Sequence, residues 1–164
     1  FPADPPREPG VMRSVGIGIP CATVERTIDL DDGLRLELVP ADPNGEVEVA
    51  HLAVVTPDPA SSAREWLQLG FAPAPKSASG VPRLRLGSQH VELHSGTPEP
   101  TSRPLLNYLG LLVESLDELR DSVDSMGIAV NREVDAENGR ALFLDGPDGI
   151  ELEYIEHKRS FALA

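Results

Sequence analysis

The sequence predicts an α+β fold made of two βαβββ modules in a pseudo-twofold arrangement, with an extra β-hairpin at the N-terminus. The main observation is an internal repeat. Residues 51–71 and 108–128 each read as a short apolar strand, a helix and a glycine stop, and the interval from strand to glycine is the same in both copies. Three strand candidates follow each glycine, so two copies of one motif are expected to pack around a local axis.

The N-terminal region is the least regular part of the sequence. Residues 1–13 are polar and proline-rich, which predicts a disordered or flexible tail. Residues 14–46 contain "TIDLDDGLRLELVP", which reads as a hairpin with its turn at Asp32-Gly33. Two interpretations stay open for it. It is either a hairpin that extends the sheet or a partial third module, because Leu-Glu-Leu at 36–38 resembles the Val-Glu-Leu at 91–93 that ends the first complete module.

The first complete module is predicted to span 47–97. Its helix begins with Asp58 as the N-cap and Pro59 in the first turn, where proline is well tolerated. The apolar stripe of this helix consists of Ala63, Trp66 and Leu67. The strand candidates are "HLAVV" before the helix and 71–77, "VPRLRLG" and "QHVELHS" after it. We expect Trp66 to anchor the helix in the core.

Residues 98–107 are predicted as a linker, 108–158 as the second module and 159–164 as a C-terminal tail. Ser115 and Glu118 form a capping box at the start of the second helix. The apolar stripe of that helix consists of Leu116, Leu119, Val123 and Met126. The strand candidates of this module are "YLGLLV", "IAVNREV", "GRALFLD" and "IELEYIE".

Composition excludes several functional classes. The formal net charge of −13 argues against nucleic acid, because phosphates attract Lys and Arg. No apolar run approaches the roughly 20 residues that span a bilayer, so no membrane partner is expected. The single cysteine, Cys21, excludes an internal disulfide framework, which favours a cytoplasmic location, and it reads as a small apolar filler.

The repeat and its motifs resemble the vicinal oxygen chelate superfamily, which includes glyoxalase I, bleomycin-resistance proteins and extradiol dioxygenases. The resemblance covers about 51–157. It is carried by "HLAVV", "REWLQLGF", "VELHS" and above all "FLDGPDGIELEYIE", in which a Glu follows four residues after the last Gly of the turn. Gly146 is a departure, because it inserts one residue into the turn. The resemblance implies sheets that curve around a cleft, a small-molecule ligand or substrate, and a homodimer.

Strand alternation places every second side chain on the same face of a sheet. In each module, one position on the first strand and one on the last therefore face away from the helix and into the expected cleft. These repeat-equivalent positions are His51, Glu92, Tyr108 and Glu153.

The resemblance implies that His51, Glu92 and Glu153 are metal ligands. Imidazole and carboxylates suit Zn, Ni, Mn or Fe with open positions for substrate oxygens. Tyr108 departs from the family's His or Gln, and a neutral phenol is a poor ligand because its pKa is near 10. The extradiol dioxygenase interpretation loses most of its weight without a histidine at this position.

Two functions stay open. The first is a glyoxalase-like, metal-dependent lyase or isomerase acting on a small oxygenated metabolite. In it, Glu153 or Glu92 would abstract a proton and Tyr108 would donate a hydrogen bond. Residues expected to contact substrate are Tyr108, His94 and Leu112. The alternative is a metal-free binding or antibiotic-resistance protein of the bleomycin-resistance type.

Each candidate residue also has a plain structural interpretation. Glu92 and Glu153 are expected on that view to pair with Arg83, Arg85 or Arg140 across neighbouring strands. His90 and His94 would be surface residues of an edge strand.

Overall fold

A computed structural model of the chain describes residues 7–30, 33–77 and 79–158. It contains two compact units, Phe1–Leu106 and Asn107–Ala164, called here the N-terminal unit and the C-terminal unit. The strands are β1 (Met12–Pro20), β2 (Arg26–Asp29), β3 (Arg35–Ala41), β4 (Glu48–Thr56), β5 (Ala72–Ala74), β6 (Arg83–Leu86), β7 (Gln89–Ser95), β8 (Tyr108–Leu112), β9 (Val130–Asp135), β10 (Gly139–Asp145) and β11 (Glu151–His157). The helices are α1 (Pro59–Gln68) and α2 (Leu116–Ser125).

The predicted α+β fold, with two βαβββ modules and additional N-terminal strands, is confirmed. The N-terminal unit holds a seven-stranded sheet in the order β2-β3-β1-β4-β7-β6-β5, and the C-terminal unit a four-stranded sheet in the order β8-β11-β10-β9. In both, the first strand of the βαβββ module lies parallel to its last strand. Within the described ranges, no helix is long and apolar enough to cross a bilayer.

The N-terminal strands have the pairing of an incomplete module. Strand β1 runs parallel to β3, as β4 runs parallel to β7, and β2 pairs with β3 as the predicted hairpin. The β2–β3 hairpin extends the sheet, and the parallel β1–β3 pair is what a partial module would also have, so both interpretations of this region stay predictions. Strand β1 begins at Met12, inside the stretch expected to be a tail, and part of the predicted turn, Asp32, lies outside the described residues.

A local twofold axis relates β1 to β4. These strands are antiparallel, with Ser14 opposite Ala53 and Gly16 opposite His51. Gly16 is also the neighbour of Glu37 on β3, as Ala53 is the neighbour of Glu92 on β7. The two halves of the seven-stranded sheet therefore repeat each other across the β1–β4 seam.

The core of the N-terminal unit lies between α1 and one face of the sheet. The buried residues are Leu52, Val54, Trp66, Phe71, Leu84, Val91 and Leu93. As predicted, Asp58 caps α1, accepting hydrogen bonds from the backbone N–H groups of Ala60 and Ser61 at 3.0 and 3.1 Å. Trp66 is fully buried with its ring edge-to-face against Phe71.

Two expectations about packing were wrong. Leu67 is exposed, and Ser62 is the residue that joins Trp66 in the buried stripe of α1. Residues four apart share a helix face, whereas Leu67 lies about 100° around the helix from Trp66. Cys21 is exposed rather than a core filler, because it follows the end of β1 in a left-handed conformation with φ 62°.

The C-terminal unit repeats the module with α2 on one face. Ser115 caps this helix by accepting a hydrogen bond from the backbone N–H of Glu118 at 3.2 Å. Leu116 and Val123 are buried, whereas Met126, at the C-cap, is exposed and does not extend the stripe. The core residues of the sheet are Leu111, Leu142, Leu144, Ile150, Leu152 and Tyr154.

The inserted Gly146 is required by the turn before β11. Its N–H donates to the carbonyl of Ile150 at 2.8 Å, and Pro147–Gly149 form a 3-10 turn. A Cβ on Gly146 would lie 2.6 Å from the carbonyl oxygen of Ile150 and 2.9 Å from Leu152. No other residue fits this approach, so the departure from the expected motif has a steric cause.

Candidate functional site

The face of the seven-stranded sheet opposite α1 carries polar side chains on adjacent strands. Alternation places Leu52, Val91 and Leu93 against the helix and turns the neighbouring residues to the other face. The residues at the repeat-equivalent positions on that face are Ser14, Glu37, His51 and Glu92. Two of them, His51 and Glu92, were predicted from sequence.

His51 reaches across β1 to Glu37. Its ring lies over Gly16, where a Cβ would come within 2.2 Å of the imidazole. His51 is 5% exposed, and its Nε2 lies 3.3 Å from Oε2 of Glu37 without making a hydrogen bond. The other oxygen of Glu37 accepts a hydrogen bond from the Ser14 hydroxyl at 2.7 Å. Glycine at position 16 is therefore what lets an imidazole and a carboxylate two strands apart meet.

Glu92 contacts an arginine and a histidine on its own half of the sheet. Its Oε1 lies 3.1 Å from Nε of Arg83 on β6, and its Oε2 lies 3.4 Å from Nε2 of His94. The cross-strand pairing with Arg83, one of the plain structural interpretations, is what the structure has. The Arg83 guanidinium compensates the charge of Glu92, whereas among the described residues the contacts of Glu37 are with Ser14 and His51 and include no guanidinium or ammonium.

His90 and His94 lie on β7, which is an interior strand between β4 and β6, so the expectation of an edge strand was wrong. Both are half-buried. Burial lowers the pKa of His90 below its ordinary value, and the nearby positive charge of Arg83 lowers it further. His90 therefore resists taking up a proton at the mouth of this site.

A pocket of about 540 Å³ opens over this polar face. Its lining residues are Glu25, Glu37, Val39, Pro40, Ala41, Asp42, Glu48, Ala50, His51, Ser77, Ser79, Arg83, Ser88, His90 and Glu92. Among these described residues, five carry carboxylates and only Arg83 carries a guanidinium. The pocket is therefore acidic: besides Glu37 on β3, its carboxylates come from Glu25 and Asp42 on loops, Glu48 on β4 and Glu92 on β7.

The remaining candidate residues lie in the C-terminal unit. Tyr108 and Leu112 are 52% and 70% exposed, on β8. Glu153 is half-buried on β11 next to Gly110, and within the described residues it has no hydrogen bond or ion pair. The structure thus brings His51 and Glu92 to one sheet and places Glu153 on another. A shared metal for these three ligands stays a prediction.

The side chains of the polar face do not match the donor set expected for a metal. Within the part of the chain that the structure describes, no group of three or more His, Cys, Asp or Glu side chains is gathered around one point. His51 and Glu37 supply two donors, and Glu92 is engaged by Arg83, whose charge repels a cation. A resident metal ion with three protein ligands does not fit this arrangement.

Sequence reasoning missed Ser14, Gly16 and Glu37 as parts of the site. The signal for Glu37 was the resemblance between residues 36–38 and 91–93. Ser14 and Gly16 gave no signal, because small residues on a strand carry no chemistry until the strand's partners are known.

A second pocket, of about 410 Å³, lies in the C-terminal unit beside α2, β9 and β10. Its charged residues all have ionic partners: Arg120 contacts Glu133, Arg140 donates to Asp117 at 2.8 Å, and Asp135 pairs with Lys158 outside the pocket. The Arg140 guanidinium also holds the pKa of the Asp117 carboxyl below its usual range. Because these side chains already have ionic partners, few unpaired charges remain for a ligand. The acidic pocket of the N-terminal unit is therefore the stronger candidate.

Comparison with known proteins supports the fold at the level of structure. Neither a protein-family model nor a curated protein matches the sequence. Among solved structures, a putative glyoxalase family protein from Bacillus anthracis superposes with a TM-score of 0.57 at 20% identity, over 70% of this chain and 98% of that one. A glyoxalase/bleomycin resistance protein/dioxygenase from Nocardioides gives 0.56 at 18% identity, over 73% and 89%.

Lactoylglutathione lyase from Agrobacterium tumefaciens is similar in the same way, with a TM-score of 0.53 at 14% identity, over 66% of this chain and 92% of that one. At identities this low, the similarity supports only the architecture, and the chemistry must be argued from the residues of this chain. Together with the parallel first and last strands of each module, the likenesses identify the architecture: the chain has the βαβββ fold of the glyoxalase, bleomycin-resistance and dioxygenase proteins, the vicinal oxygen chelate fold.

Proposed function

We propose that the N-terminal unit is a metal-free binding module for a small cationic organic molecule. The observation that supports it is the charge of the pocket, in which five carboxylates face one guanidinium. Carboxylates held together in a partly dry cleft lower the free energy of a bound cation more than water does. The volume of about 540 Å³ suits a ligand of drug size.

Glu37 is the anchor in this proposal. The Ser14 hydroxyl fixes one of its oxygens and the His51 ring bounds the other, so the carboxylate has a set direction before any ligand arrives. Its side chain is 32% exposed, which leaves it within reach from the pocket. A charge-assisted hydrogen bond from a ligand ammonium or guanidinium to this carboxylate is the expected contact.

The apolar part of the pocket supports an organic ligand rather than an inorganic ion. Val39, Pro40, Ala41 and Ala50 line the wall beside Glu37. A ligand with a flat or aliphatic body and one positive group would bury apolar surface there while its charge meets the carboxylate. The function is then capture of the molecule, with no bond made or broken.

Isothermal titration calorimetry against a panel of planar cations, with neutral and anionic analogues of the same size, tests the proposal. Glu37→Gln should weaken binding of the cations about 10-fold or more, because a charge-assisted hydrogen bond contributes about 1.5–3 kcal/mol. Glu65→Gln, on the exposed side of α1, is the matched control and should leave affinity unchanged. Equal binding of neutral and cationic analogues, or no binding at all, contradicts the proposal.

A metal-dependent lyase or isomerase is the second candidate. Its specific support is Nε2 of His51, a buried nitrogen that makes no hydrogen bond and lies beside the Glu37 carboxylate. Elemental analysis of protein purified without chelators separates the two candidates. Metal-free binding predicts less than one Zn, Ni, Mn or Fe per chain; one equivalent that is lost in His51→Ala would favour the enzyme instead.

A further inference from the structure

The side of the seven-stranded sheet that packs on α1 continues over β1, β2 and β3. Pairing places Val15 of β1 next to Leu52 of β4, which lies against the helix, and next to Leu36 of β3. Alternation puts every second residue of these strands on that side. The set, called here the β1–β3 face, consists of Val15, Ile17, Ile28, Leu36 and Leu38, with Arg26 at its outer edge on β2.

The repeat in the sheet gives residues of the β1–β3 face counterparts that lie under α1. Ile28 on β2 pairs with Leu36 on β3, as Leu84 on β6 pairs with Val91 on β7. Leu84 and Val91 are each 3% exposed. In contrast, Ile28 is 42% exposed and Leu36 is half-buried. The same apolar type of residue is therefore covered in one half of the sheet and uncovered in the other.

The element that makes the difference is a helix. Between β4 and β6 the chain forms α1 and β5, whereas residues 21–25, between β1 and β2, form neither a helix nor a strand. Helix α1 packs on β6 and β7. The half of the sheet formed by β1, β2 and β3 thus keeps apolar residues that a helix would cover and lacks the segment that would form it. A contiguous exposed apolar patch with a polar rim is typical of a protein-binding site.

The dimensions of the β1–β3 face suit a short helix. Three strands span about 10 Å. Helix α1 has ten residues, which is a length of about 15 Å, and it covers the other half with the stripe formed by Ser62 and Trp66. Addition of a strand at the β2 edge is the other common mode of recognition, but β2 carries charges of both signs, which oppose it. The face therefore favours a helix as its occupant.

Arg26 gives this face its charge. It is exposed beside Leu38, and among the described residues it has no ionic partner. The other charged residues of β2 and β3 lie on the opposite side of the sheet, where Asp29 pairs with Arg35 at 2.6 Å and Glu37 faces the acidic pocket. At about 0.15 M salt the Debye length is about 8 Å, so a helix on this face interacts more strongly with Arg26 than with distant carboxylates.

We propose that the β1–β3 face binds an amphipathic α-helix of a partner protein, with the apolar stripe of the helix on Val15, Ile28 and Leu36 and an acidic side chain at Arg26. The helix would lie on β1 and β3 as α1 lies on the other half of the sheet. This surface is on the side of the sheet opposite the acidic pocket, so the proposal does not depend on the small-molecule ligand.

Nuclear magnetic resonance titration of the isotope-labelled chain with designed helical peptides tests the proposal. The peptides share one apolar stripe of leucines and differ only in the residues beside it, which are glutamates, glutamines or lysines. The acidic peptide should shift the amide resonances of β1, β2 and β3 saturably and bind several-fold more tightly than the basic one. Tighter binding of the basic peptide, shifts confined to other strands, or no saturable binding contradicts the proposal.

Two variants separate this interface from nonspecific apolar contact. Arg26→Glu should reverse the order of the acidic and basic peptides. Ile28→Asn should weaken binding of the acidic peptide about 10-fold, the usual effect of losing one buried aliphatic side chain. Val134→Asn, at a residue 41% exposed on β9, is the matched control and should bind as the wild type does. An order that Arg26→Glu leaves unchanged, or full binding by folded Ile28→Asn, overturns the proposal.

Sedimentation velocity and vesicle flotation of the chain alone examine the other possible occupants. Neither self-association through this face nor binding to phosphatidylcholine vesicles is expected. Self-association that Ile28→Asn removes would assign the face to a second copy of the chain, and vesicle binding that it removes would assign the face to a lipid surface. Either result would overturn the proposal of a partner helix.

Discussion

At the residue scale, the site depends on a glycine that has no chemistry of its own. The imidazole of His51 occupies the space above Gly16 that a side chain on β1 would fill. From there it meets Glu37, whose second oxygen is fixed by Ser14. The orientation of the carboxylate is therefore set by three neighbours on two strands, and one added methyl group is enough to disturb it.

Gly16→Ala should destabilise the chain by about 1–3 kcal/mol, the usual effect of overpacking a buried position. The new methyl would start 2.2 Å from the His51 ring and displace it from Glu37. Urea denaturation measures the loss. The matched control is Gly110→Ala at the equivalent position on β8, where the nearest atom is 3.7 Å away and no loss is expected. Equal effects at both glycines would contradict this account.

Acidification should destabilise the chain partly through His90. Burial lowers the pKa of His90 in the folded state, so the unfolded chain binds this proton more readily. The stability contribution is complete above the ordinary pKa of 6.5 and is lost as the pH falls through the lowered one. His90→Gln should therefore lose less unfolding free energy than the wild type between about pH 7 and about pH 5. The exposed His157→Gln is the control and should follow the wild type.

Part of the site could be predicted from the sequence and part could not. His51 and Glu92 were identified because the repeat gives their strands a common register and alternation gives them a common face. Glu37 needed the knowledge that β3 lies two strands from β4, which depends on contacts distant in the chain. The pairing of Glu92 with Arg83 needed the register of β6 against β7, which puts Arg83 opposite Glu92 and Arg85 opposite His90.

At the scale of the elements, the helices could be predicted from local sequence signals, whereas the position of β1 depends on its pairing with distant strands. Both helices have an N-cap that the sequence predicts, since the cap is a contact between neighbouring residues. Strand β1 was missed because its buried positions include the small residues Ser14, Gly16 and Gly18, whereas the alternating apolar residues Val15, Ile17 and Ile19 lie on the less buried face. Its place between β3 and β4 comes from pairing with both of them.

Removal of either cap should destabilise its helix. Asp58→Ala and Ser115→Ala are each expected to cost about 1 kcal/mol, because they leave N–H groups of the first turn unsatisfied. Asp58 accepts two hydrogen bonds and should cost the more. Unfolding free energies from circular dichroism give the comparison, with Asp121→Ala in the middle of α2 as a control that should be neutral or slightly stabilising.

At the scale of the whole molecule, acidic residues greatly outnumber basic ones. The formal net charge is −13, and five carboxylates converge on the acidic pocket. The surface ion pairs, such as Arg35 with Asp29, each contribute little because they are exposed to solvent. Repulsion among carboxylates should therefore outweigh the attraction of the pairs.

Added salt should raise the melting temperature. Between about 0.01 M and about 0.15 M NaCl the Debye length falls from about 30 Å to about 8 Å, which screens long-range repulsion more than close pairs. A thermal melt by circular dichroism at each salt concentration measures the effect. A melting temperature that falls steadily with salt would show that attraction between the pairs dominates instead.

The two halves of the seven-stranded sheet differ in support. Strands β6 and β7 pack on α1, whereas on the half formed by β1, β2 and β3 no described helix covers the partly exposed side chains. Amide hydrogen exchange should be slowest in β4 and β7 and fastest in β2, because opening free energy follows buried contacts. Glu37 lies on β3, in the half of the sheet that no described helix covers, and His51 lies on β4, in the half that packs on α1. A ligand that contacts both should slow exchange across β2 and β3, so that occupancy of the pocket is read out as protection of strands at its far side.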